Sequence, residues 1–131
     1  MGEITNNVNW LSVAVGTILS FVLGAAWYST KLFGTKWAEG VGLKLESDSK
    51  PPVAAMLVQL LATFSLAWVI AIMAITHALY TAILIALMVV AMVVANGLFA
   101  CKSNYAIATE AGFIAVMSTI MIICEGVLRQ T

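Results

Sequence analysis

Four stretches of this chain, at about 8–28, 53–75, 80–100 and 106–128, are predominantly apolar and contain no Lys or Arg. Each is long enough to cross a bilayer as helix, which takes about 20 residues. Barrel strands would alternate in and out over about ten residues, whereas these runs are apolar all round. Lipid offers nothing to hydrogen-bond a bare peptide group, so helix is the remaining solution. The charged content agrees: 9% of residues are Asp, Glu, Lys or Arg, against about 25% in a soluble domain. Six basic and six acidic residues cancel, and no basic face calls for nucleic acid. The expected fold is all-α: a polytopic membrane protein, one domain over 1–131, built as an antiparallel bundle of four transmembrane helices.

The connections support that order. Residues 76–79 and 101–105 make two short turns, so spans two, three and four are expected to be antiparallel neighbours. Residues 29–52 form the one long connection, read as a loop, with Lys31, Lys36, Lys44 and Lys50 in it. Pro51 and Pro52 suit a helix start, where a missing N–H costs least. Gly24, Ala25 and Ala26 resemble a cleavage site, but residues 1–9 carry Glu3 and no Lys or Arg. A secretory signal begins with basic residues, so no cleavage is expected.

Orientation follows from the basic residues of short loops. With the amino terminus outside, Lys31, Lys36, Lys44, Lys50 and Lys102 lie inside and Arg129 outside. The expectation is a multi-pass protein of a prokaryotic plasma or inner membrane with both termini outside. Trp27, Tyr28 and Trp37 then fall at the inner interface, and Trp10 and Tyr80 at the outer one, as aromatic belts do.

The run Gly24-Ala-Ala-Trp27-Tyr28-Ser29-Thr-Lys-Leu32-Phe33-Gly34-Thr-Lys-Trp37 is the most distinctive in the chain. With Asn9-Trp10-Leu11 before it and Asn96-Gly97-Leu98-Phe99 in span three, it resembles a family of small membrane proteins named only as domain of unknown function 1761. The likeness covers nearly the whole chain, with Thr30 where the family commonly has proline and Lys36 one place after its common lysine. The resemblance implies the four-helix architecture and makes Trp27, Tyr28, Ser29, Phe33, Gly34 and Trp37 family-like motif positions. It implies no activity.

Span one carries Ser12, Gly16, Ser20 and Gly24 at four-residue spacing, hence on one helix face. Such a stripe lets backbones approach closely in lipid. It is read as a helix-packing face, either between subunits or within one. Glu110 lies four residues into span four, roughly 6 Å from its inner end. Gln59 and Asn96 fall at similar depth, so the three form a candidate inner-leaflet polar layer. Acids in membranes are costly and often functional; the bland alternative is Glu110 snorkelling to Lys31 or Lys102. Glu125 and Arg129, four apart with the acid first, suit a helical ion pair.

His77 is the one histidine and has no Cys, Asp or Glu beside it in sequence, so no metal site within the subunit is expected. Cys101 and Cys124 fall near opposite ends of their spans, about 30 Å apart by helix rise, too far for a disulfide. The seven methionines are read as lipid-facing or gap-filling. No nucleophile–base pairing, phosphate loop or ligand cluster is visible, and Glu110 and Glu125 lie too far apart to work on one bond. The chain is therefore read as no enzyme, with no cofactor or metal, whose partners are the lipid bilayer and either copies of itself or a larger membrane complex. Its role is expected to be that of a structural or accessory subunit, or a homo-oligomer packing through the span-one face. The alternative is a small oligomeric transporter or channel using Glu110, Asn96 and Gln59.

Overall fold

The computed structural model describes residues 2–29, 31–42 and 53–128. Its elements are α1 (Gly2–Thr5), α2 (Trp10–Trp27), α3 (Gly34–Val41), α4 (Val53–Ile75), α5 (Leu79–Phe99) and α6 (Asn104–Leu128). Four of these, α2, α4, α5 and α6, are long and apolar enough to cross a membrane, and each lies within two residues of its expected span at both ends. The protein is all-helical and multi-pass. Lys44, Lys50, Pro51, Pro52 and Arg129 lie outside the described residues.

Caps fix the ends. Asn9 halts α2 short of Val8: its side-chain oxygen accepts the Ser12 N–H at 3.3 Å, and its amide donates to the Leu128 carbonyl at 3.2 Å. Both short turns use one device. The Ala78 N–H reaches back to Met73 and the Lys102 N–H to Gly97, with His77 and Cys101 left-handed at φ 55 and 59. These are six-to-one closures of a helix end, made without the usual glycine. At the head of α6 the Ser103 hydroxyl accepts the Ala106 N–H at 3.1 Å.

One expectation needs correcting. The connection read as a loop over 29–52 contains α3, an eight-residue helix. It was invisible to periodicity because two turns are too short to show a face. Packing against α6 decides it: Ala38 and Ala106 are both buried, and a Cβ on Gly40 would collide with Ser103 and Ala106.

Helix α6 lies at the centre, touching α2, α3, α4 and α5, while α2 also packs on α4 and α4 on α5. The core runs along that centre through Val13, Ala67, Ile70, Phe113, Met117 and Met121. By contrast α5 buries only Ala82 and Gly97. Leu57, Leu61, Leu84, Leu87 and Phe99 point outward, as lipid-facing positions do in a bundle whose solvent is hydrocarbon.

Candidate functional site

The motif residues of the α2–α3 connection converge on the first turns of α6. The chain leaves α2 at Trp27 and reverses at once. The Ser29 carbonyl accepts the N–H groups of Leu32 (3.1 Å) and Gly34 (2.9 Å), and the Phe33 N–H donates to Trp27 at 3.2 Å. Gly34 sits against the carbonyl oxygens of Tyr28 and Ser29, where any Cβ would strike backbone. That close approach explains the glycine; its φ is unexceptional.

The tight turn presents a fan of aromatic rings. Trp27 and Phe33 lie 4.8 Å apart, and Tyr28 meets Trp37 at 5.0 Å and Phe113 at 5.5 Å, both edge to face. Edge-to-face pairs add about 0.5–1.5 kcal/mol beyond burial. Each indole has a polar partner on α6: Trp27 Nε1 donates to the Thr109 carbonyl, and Trp37 Nε1 to Glu110 Oε2, both at 2.9 Å. Lys36 lies 5.4 Å above the Tyr105 ring, within cation–π reach.

Glu110 is the charged centre. Lys102 Nζ donates to both its oxygens, at 3.0 and 2.9 Å, and the two side chains are 28% and 16% exposed. A carboxylate at a membrane boundary is costly without such partners. Here an ammonium and an indole donate to it, which fastens the α5–α6 turn and α3 to one point. Lys31, the other lysine considered, is exposed.

The three members of the candidate polar layer are not brought together. Gln59 turns back on its own helix, donating to the Thr63 hydroxyl at 3.2 Å, and Asn96 is exposed. The small-residue stripe, in contrast, is covered within the chain. Ser12 is 2% and Ser20 0% exposed. A Cβ on Gly16 would lie 3.5 Å from Met121, and one on Gly24 3.2 Å from Phe113. The stripe is therefore a seam between α2 and α6 rather than an outward face.

At the opposite end of α6, Glu125 is buried and lines a half-open groove that His77 also borders. Sequence spacing missed this neighbourhood because the two residues are 48 positions apart in the chain (125 − 77), one in the α4–α5 turn and one on α6. Cys101 is an exposed thiol and Cys124 a buried one, both free.

No curated protein and no solved structure matches the chain. The family described as "Protein of unknown function (DUF1761)" matches residues 11–126. That range takes in nearly all of α2 and α6 and everything between them, and with them the turn at Gly34 and the indole and lysine contacts to Glu110. By that match the chain belongs to the DUF1761 family of proteins of unknown function.

Proposed function

We propose that this protein is a structural or accessory subunit of a membrane assembly, or a homo-oligomer, in which α2, α4, α5 and α6 form an antiparallel bundle. The observation that carries this reading is the pairing of Glu110 with both Lys102 and Trp37. Lys102 bonds both its oxygens and Trp37 one of them, so Glu110 acts as a fastener. The pairings of Asn9 with Leu128, Gly16 with Met121 and Gly24 with Phe113 support the antiparallel order. With the span-one stripe enclosed, association falls to the outward faces of α4 and α5, which carry most of the exposed large apolar side chains.

One preparation tests the reading. The protein drawn from a prokaryotic membrane in mild detergent should travel as a particle heavier than a single 13.9 kDa chain. Reconstituted wild type and Glu110→Gln should both pass protons and cations no faster than empty vesicles. The variant keeps an acceptor for Trp37 but loses the ion pair, so it should melt lower by about 1 kcal/mol of stability. A single-chain particle would reject this reading and the oligomeric transporter alike, and a wild-type flux that Glu110→Gln abolishes at equal stability would reject it in favour of the transporter.

We further propose that both termini face outward, supported by five lysines on one side against Arg129 on the other. A cysteine placed at Ser47, with Cys101 and Cys124 replaced, should resist an impermeant thiol reagent in intact cells and react once they are permeabilised. Rapid labelling of intact cells would reverse the orientation.

A further inference from the structure

Of the four long helices α5 is the least enclosed: only Ala82 and Gly97 are buried along it. Its outward side carries an amide. Asn96 stands three residues before the end of α5 at Phe99, about 4.5 Å inside it by helix rise. The Asn96 side chain is exposed and makes no hydrogen bond among the described residues. Gln59, the exposed amide of α4, differs, because it is bonded within its own helix to Thr63. Asparagine is a poor helix former, and its side chain is too short to reach toward water as a lysine does. An amide left against hydrocarbon keeps the cost of its unmade bonds. Exposed Met88 and Met92 precede Asn96 at four-residue intervals, so the three make one row along the helix. Thioether side chains adapt readily to an irregular neighbour.

We infer that this row is the contact face for a second copy of the chain, with the Asn96 amides of the two copies hydrogen-bonded to each other. The inference rests on the homo-oligomer arm of the reading above and names its surface. Complementarity selects the occupant. A carboxamide holds donor and acceptor together, so one carboxamide can satisfy another. Copies in one membrane are inserted the same way up, so a two-fold axis between them runs along the membrane normal and each height meets itself. Asn96 then falls opposite Asn96, and the methionines opposite their own counterparts. Lipid chains offer the amide nothing, and an unrelated helix would have to carry a polar group at that same height.

Cross-linking in isolated membranes tests the face. With Cys101 and Cys124 replaced, a single cysteine at Met92 or at Met88 should join two chains by a disulfide under mild oxidant. Single cysteines at Leu61 on α4 and Ile123 on α6, both exposed, should link far more slowly. In mild detergent, Asn96→Leu should raise the dissociation constant of the particle about three- to tenfold. The exchange is close in volume and falls on an exposed position, so each chain keeps its fold. Links at Met88 and Met92 no faster than at Leu61 and Ile123, or unchanged association of Asn96→Leu, would overturn the inference. Either result on a particle heavier than one chain would leave the oligomer reading standing with another contact face. A single-chain particle would end both.

Discussion

Gly34→Ala is expected to destabilise the protein by about 3 kcal/mol or more. The added methyl carbon would collide with the Tyr28 carbonyl oxygen and come within 2.7 Å of that of Ser29. Backbone cannot rotate aside as a side chain can, so the turn must open. Opening it breaks the Gly34 N–H bond to Ser29 and swings Trp37 off Glu110. The informative control is Gly126→Ala, where a Cβ meets nothing within 4 Å. There the same methyl should stabilise α6 by about 0.5–1 kcal/mol, because glycine is a poor helix residue. Thermal unfolding in one detergent, followed by tryptophan fluorescence, compares them directly. Equal midpoints for the two variants would show that the turn is looser than described.

Gly16→Leu is the second large effect, again about 3 kcal/mol or more. A Cβ at Gly16 already faces the Met121 side chain at 3.5 Å and its backbone Cα at 3.9 Å, leaving no room for a branched side chain. The damage should appear as a lower melting temperature of each chain. Ser20→Ala should go the other way or be neutral. The Ser20 hydroxyl is wholly buried and makes no hydrogen bond among the described residues, and an unmade bond costs more than an absent group. A Gly16→Leu protein that melts as the wild type does but loses mass as a particle would move the stripe to a subunit interface.

The four long helices were readable because lipid imposes a length and forbids charge, and both constraints are written residue by residue. Their mutual arrangement was less readable for the same reason. In spans apolar on every side, the residues that face the core differ little from those that face lipid. On α6 the buried positions Ala106, Thr109, Phe113, Met117, Met121 and Cys124 recur every three or four residues, a helical stripe hidden among equally apolar neighbours. The stripe on α2 stood out because serine and glycine contrast with leucine. The contacts of Glu110 were half legible. Lysines at the loop-side boundary suggested Lys102, but nothing tied the motif residue Trp37 to Glu110, which it reaches only because α3 forms. Gln59 and Asn96 were grouped with Glu110 by depth alone. Depth fixes height in the membrane and leaves the angle around each helix axis free.

The central place of α6 also orders events at the ribosome. Chain synthesis delivers α2, α3, α4 and α5 to the membrane before α6 exists, and α6 is the helix that all four touch. Until it arrives, α2 and α4 can meet each other, but Ser12 and Ser20 lack the wall that Met121 and its neighbours supply. In a bilayer, spans insert first and associate afterwards. On that order the seam between α2 and α6 is the last helix contact that the growing chain can complete.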